Sequence, residues 1–223
     1  ARVKNQTPHC KFGEEGICCR ICTMGPCRIT KKAPRGICGC DVHGIVGRNY
    51  LKFTAGGASA HSDHGREICH TLYETAADGC YKVKDPEKLI RIAKEWGMET
   101  EGKDIYELAH EVALEGLMEY GKPFGTQRFL KRAPESQQKL WEENELAPYA
   151  IDREVSRSLH MTHMGCSSKP EALVKQAIRC GLGDGWGGSM MGTEFSDILF
   201  GTPKPIETEA NLGVMVEENV NIV

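Results

Sequence analysis

No stretch of the chain approaches the roughly 20 apolar residues that cross a bilayer, and its opening, Ala1-Arg2-Val3-Lys4-Asn5, has no apolar run of the kind a secretory signal needs. Charge of one sign is also lacking. The 28 Lys and Arg against 31 Asp and Glu leave a formal net charge of −3, which offers no basis for binding nucleic acid or an acidic membrane surface. There is no internal repeat and no low-complexity segment. These absences lead to the expectation of a soluble, cytoplasmic protein with no transmembrane segment. At 223 residues it can bury a core without a disulfide scaffold.

Cysteine is what the sequence has in excess. Eleven are present, and seven of them fall between Cys10 and Cys40. In a reducing compartment such crowding points to metal ligation rather than disulfides. The run is Cys10, then Cys18-Cys19-Arg20-Ile21-Cys22, then Gly25-Pro26-Cys27, then Ile37-Cys38-Gly39-Cys40. From Cys19 the spacing reads C-x2-C-x4-C-x10-C, which suits four thiolates around one cubane cluster. A structural zinc site also takes four cysteines with C-x2-C spacing and stands as the alternative. Cys18 and Cys19 are adjacent and their side chains diverge, so a second site is implied. Cys10 and Cys18 supply only two thiolates, and a two-fold homodimer would complete a shared cluster. Gly16, Gly25, Gly36 and Gly39 interleave the thiols, either to let backbone amides reach cluster sulfurs or as ordinary turn residues. Cys69, Cys80, Cys166 and Cys180 are isolated and read as buried small hydrophobes.

From about Val42 onward helical periodicity dominates, over 44–58, 60–78, 86–97, 103–119, 135–146, 152–164, 170–182 and 187–199. Asp85-Pro86 and Lys169-Pro170 read as helix starts, and Gly97, Gly121 and Gly183 as ends. No stretch shows strand alternation. The fold class is therefore mainly α: a cysteine-rich loop region (1–42) that binds the metal, a helical bundle-like domain (43–200), and from 201 to 223 the start of a following α/β domain. The closing Val220-Asn221-Ile222-Val223 gives the expectation that the chain is part of a longer one.

His61, His64 and His70 share one helix with Asp63, Arg66 and Glu67 between them. At 100° per residue His61 and His64 lie about 60° apart, whereas His70 is about 180° from His61. They spiral rather than form one stripe, which suits either a proton relay or three unrelated surface histidines. Asp184-Gly185-Trp186-Gly187-Gly188 is a glycine-rich helix entry without the lysine and spacing of a nucleotide loop, so nucleotide binding is rejected and Asp184 on its own reads as a helix cap. His160-Met161-Thr162-His163-Met164-Gly165-Cys166 reads as a mixed helix end and is assigned no ligand.

The stretch Phe12-Gly13-Glu14-Glu15-Gly16-Ile17-Cys18-Cys19-Arg20-Ile21-Cys22, with Gly25-Pro26-Cys27-Arg28-Ile29 and Gly36-Ile37-Cys38-Gly39, resembles the amino terminus of the anaerobic nickel-iron carbon monoxide dehydrogenases. Ala60-His61-Ser62-Asp63-His64-Gly65-Arg66 and the stretch from Asp184 through Asp197-Ile198-Leu199-Phe200-Gly201-Thr202-Pro203 are similar too. The resemblance implies that Cys19, Cys22, Cys27 and Cys38 hold an internal 4Fe-4S cluster, with Cys40 the rival to Cys38 as fourth ligand. It implies that Cys10 and Cys18 are half of a 4Fe-4S or 2Fe-2S cluster shared between two subunits. His61 would be the innermost member of a proton relay continued by His64 and His70, with Glu67 where a further histidine is common, and Asp184 would lie near the catalytic centre. The nickel-iron-sulfur cluster would lie beyond residue 223, oxidising CO with water to CO2, two protons and two electrons, reversibly. A ferredoxin-like acceptor is the implied partner, together with an acetyl-CoA synthase subunit if the enzyme is bifunctional. Two rival readings are a hybrid-cluster protein reducing hydroxylamine-like substrates and a zinc-stabilised module without catalysis.

Overall fold

The computed structural model describes residues 2–163 and 166–205. Two short helices, α1 (Arg2–Asn5) and α2 (Lys11–Glu14), lead into a ribbon of two-residue strands, β1 (Cys18–Cys19) and β2 (Cys27–Arg28). They pair antiparallel, with Cys18 opposite Arg28 and Cys19 opposite Cys27. The remaining elements among the described residues are helical: α3 (Val42–Asp78), α4 (Pro86–Glu95), α5 (Ile105–Gly121), a 3₁₀ turn (Arg128–Arg132), α6 (Glu135–Glu143), α7 (Ile151–Thr162), α8 (Pro170–Gly183), a π-helical turn (Asp184–Ser189) and α9 (Met190–Phe200). The mainly α expectation holds. No helix among the described residues is long and apolar enough to cross a membrane. Residues 206–223, on which the expected entry into an α/β domain largely rests, lie outside the described residues.

Two of the expected helices, 44–58 and 60–78, are one. The 37 residues of α3 run about 55 Å at 1.5 Å per residue. Gly56-Gly57, which favour a break on propensity alone, lie within it because the helix is held by packing on both sides of them, with Leu51, Ala55, Ala58 and Ser62 buried in turn. Asp41 caps its start by accepting a hydrogen bond from the Gly44 amide at 2.9 Å. Gly79, at φ 67°, closes its end. Pro86 and Pro170 sit in first turns as expected.

The main core, formed by Cys69, Leu72, Leu89, Ile92, Val112, Phe129, Phe195, Ile198 and their neighbours, joins α3, α4, α5 and α9. A polar core joins α7 to α8. The buried Glu154 carboxylate accepts from Arg179 Nη2 at 2.7 Å and from Gln176 Nε2 at 2.8 Å. Burial by itself would raise the Glu154 pKa, but Arg179, the Tyr149 amide and Gln176 hold it below the usual carboxylate range.

Candidate metal centre

The cysteine region has almost no core of its own. Cys19, Cys40 and Ile45 are buried together with Ile21, Cys27 and Ile29 against them, so the loop is organised mainly by backbone hydrogen bonds and by two residues of α3. One is Asn49, whose Nδ2 donates to the carbonyls of Gly16 at 3.0 Å and Cys18 at 2.9 Å. The other is Arg48, whose Nε donates to the Ser167 carbonyl at 2.7 Å and whose Nη1 approaches Cys38 Sγ at 3.5 Å.

The ribbon puts Cys19 and Cys27 face to face. Cys27 Sγ accepts the Ile37 amide at 3.4 Å, and a Cβ placed on Gly36 would come within 3.6 Å of the same sulfur. The Cys40 amide holds the Cys38 thiol below the usual thiol range; burial opposes this, and the Arg48 guanidinium adds to it. Cys40 differs. Its side chain is 2% exposed, its sulfur packs against Gly44, where an added Cβ would stand 2.5 Å away, and burial pushes its thiol up. Cys10 is exposed and Cys18 half-buried. Among the described residues no three His, Cys, Asp or Glu converge as they would on a single ion. Four thiolates around an eight-atom cubane stand farther apart than four around one ion.

A second constellation lies where α3 meets the π-helical turn. His61 Nδ1 and Asp184 Oδ2 are 2.9 Å apart, and Ser62 Oγ donates to Asp184 Oδ1 at 2.8 Å. Asp184 is therefore no helix cap. It lies inside an unbroken helical run from Pro170 to Phe200 whose middle widens into a π turn, a feature often found at functional sites. The two expected helices, 170–182 and 187–199, are joined by it. Gly65 and Gly188 permit the approach: a Cβ on Gly65 would lie 2.2 Å from the Gly188 carbonyl oxygen. His61 and His64 line one cleft with Gly188, Ser189, Gly192, Thr193 and Ser196. His70 is exposed and outside that lining.

Of the isolated cysteines, Cys69 and Cys180 are buried as expected, but Cys80 and Cys166 are exposed. Cys80 follows the helix end at Gly79, where the chain turns out to solvent, and Cys166 lies in the loop entering α8. His160 and Met161 belong to the end of α7, whereas Met164 and Gly165 lie outside the described residues.

The Prismane/CO dehydrogenase family pattern matches residues 17–223, nearly the whole chain. The chain belongs to the Prismane/CO dehydrogenase family. It is 43% identical over its full length to carbon monoxide dehydrogenase 1 of Methanosarcina mazei, covering 36% of that protein. It is 40% identical to the beta subunit of the carbon monoxide dehydrogenase/acetyl-CoA synthase of Moorella thermoacetica, covering 34% of it. A nickel-free crystal structure of carbon monoxide dehydrogenase from a Thermococcus species superposes with a TM-score of 0.90 at 47% identity, over 97% of this chain and 35% of that one. The chain thus spans about a third of the length of the relatives it matches.

Within this Prismane/CO dehydrogenase family member, sequence reasoning missed Arg48, Asn49 and Ser62. Each lies on α3 three or more residues from any motif that drew notice or, for Ser62, inside one but read past. What gives them a role is the fold that brings positions 16–18, 38, 167 and 184 to that helix.

Proposed function

We propose that this chain is the amino-terminal, cluster-bearing part of an anaerobic carbon monoxide dehydrogenase, catalysing CO + H2O to CO2 + 2 H+ + 2 e− in either direction, with the nickel site supplied by sequence beyond residue 223. The observation that carries the reading is the thiol set itself: Cys19 and Cys27 paired across a ribbon, with Cys27 and Cys38 each receiving N–H donors. That donor set fits a 4Fe-4S cluster held by Cys19, Cys22, Cys27 and Cys38, which when bound supplies one-electron transfer. Cys38 is the preferred fourth ligand, because its sulfur is the one that backbone and guanidinium N–H groups favour as thiolate. Residues 1–42 are the cluster segment, 43–200 its helical support, and 201–223 the approach to the next domain.

Cys10 and Cys18 form this chain's half of a shared cluster in a homodimer. An exposed stripe on α3, Val46, Tyr50 and Phe53, supports the pairing: the last is 81% exposed, and Val46 lies beside Gly16 in the loop that carries Cys18. Electrons leave to a ferredoxin-like acceptor in the cytoplasm, and an acetyl-CoA synthase subunit docks if the enzyme is of the bifunctional kind.

The chain's own residues handle protons. Asp184 fixes the His61 ring by taking its Nδ1 side, which leaves Nε2 to accept and release a proton. His64 continues the path along the same cleft. His70 is its solvent end, and Glu67 or water spans the about 9 Å of helix rise between them.

The test is metal analysis of the full-length dimer. Iron and sulfide with an absorption near 400 nm that dithionite bleaches are expected, whereas a colourless protein with stoichiometric zinc would overturn the reading. Cys22→Ser and Cys38→Ser should each abolish the internal cluster while Cys40→Ser retains it. Cys10→Ser should lower iron per dimer without touching the internal cluster.

A further inference from the structure

Among the described residues Arg48 is a buried cation with no carboxylate in hydrogen-bond or ion-pair contact. Its relative exposure is 3%, and among the described residues its guanidinium reaches only the Ser167 carbonyl, through Nε and Nη2, and Cys38 Sγ, through Nη1. A buried charge costs several kcal/mol unless a counter-charge and hydrogen bonds offset it. The carbonyl supplies hydrogen bonds but no charge. The counter-charge within its reach is the sulfur of Cys38 as a thiolate.

We propose that Arg48 is a positioning residue whose guanidinium, anchored by the loop at Ser167, raises the reduction potential of the internal cluster. The inference rests on the reading that Cys38 ligates that cluster. Four thiolates around a [4Fe-4S]2+ core carry a net charge of 2−. One added electron makes the core 1+ and the whole 3−, with no bond formed or broken. A fixed positive charge and an N–H donor at one ligand sulfur stabilise the 3− state more than the 2− state. Arg48 is thereby also the physical link between the cluster and residues 166–169, which line the same cleft as Cys38, Gly39 and Cys40. Any partner or domain that moves the Ser167 carbonyl would change the hold on Cys38.

The experiment is a redox titration of the internal cluster, followed by electron paramagnetic resonance, in the full-length dimer. Wild type is compared with Arg48→Lys, Arg48→Gln and Arg48→Met, with iron counted in each. Arg48→Met and Arg48→Gln, which remove the charge, should lower the midpoint so that reduction is about tenfold less favourable, or about 59 mV for a one-electron couple. Arg48→Lys should stay within about threefold of wild type, since the charge is kept. If Arg48→Met fails to retain iron, the contrast of Lys with Gln decides. Equal midpoints in those two at full iron content overturn the proposal, as does a fall in melting temperature with unmoved midpoints, which marks Arg48 as merely structural. Failure of the ligand reading looks different: Cys38→Ser would then keep its full cluster.

Discussion

The molecule joins a segment that is almost all chemistry to one that is almost all packing. Residues 11–41 bury little apolar side chain beyond Cys19 and Cys40, against Ile45 of α3. The helical part buries a core running from Cys69 and Leu72 through Phe195 and Ile198. Apolar burial of about 25 cal/mol per Å² sustains the second region and cannot sustain the first. On the proposed function, ligand bonds to the cluster provide the cross-links that a hydrophobic core does not, as in small metal-dependent domains generally. The two regions should therefore fail separately.

The largest effect expected is on the cluster segment. Chelating the iron should remove amide-exchange protection from residues 17–40 almost wholly, while Leu72, Val112 and Phe195 keep theirs. Unchanged protection across 17–40 in iron-free protein would show that the segment folds without metal. The converse perturbation is Arg179→Met. It leaves Glu154 as an unpaired buried charge and should cost about 3–5 kcal/mol in denaturant melts, with cluster absorbance intact until global unfolding. Loss of colour well before the helical signal would mean that the regions are not separable in this way.

Gly65→Ala probes the place where packing touches chemistry. Its Cβ would meet the Gly188 carbonyl at 2.2 Å, so the π turn must shift away from α3. A cost of about 1–3 kcal/mol is expected, together with loosening of the Asp184 contacts to His61 and Ser62. Calorimetry should show the cost, and the His61 ring resonances should show the loosening. A variant of wild-type stability with unchanged resonances would show that the close approach is not required.

The same division explains how much could be read from the sequence. The thiol array was legible because its spacing is local, and the helix starts at Pro86 and Pro170 because proline fixes φ by itself. The continuity of α3 was not: Gly56-Gly57 argue locally for a break, and only burial of Leu51, Ala55, Ala58 and Ser62 against other helices overrides it. The helical continuity through Asp184 was lost for the same reason, since four glycines in 183–188 read as an end until Gly188 is seen against Ser62. Glu154, Gln176 and Arg179 look like solvated surface in one dimension. They become a buried network only when α7 lies on α8. Arg48 is the sharpest case, for nothing within α3 singles it out and both its partners are distant or in a loop.

The smallest effect is a change of slope, and it sharpens the contrast from the packing side. In wild type the Glu154 pKa is held below its unfolded value, so the folded state binds fewer protons there. The stability this contributes is fully present above the ordinary glutamate pKa of about 4.3 and is lost as pH falls through the depressed folded value. In Arg179→Met the guanidinium is gone and only the Tyr149 amide and Gln176 still oppose burial, so the folded value rises from that of wild type. Less of the contribution is then present above about pH 4.3 than in wild type. The difference in unfolding free energy between the two proteins, measured from pH 3 to pH 7, should therefore widen as pH rises. A difference that stays flat across that range would mean that Glu154 does not titrate with folding, and that its network stabilises the α7–α8 contact through hydrogen bonds alone.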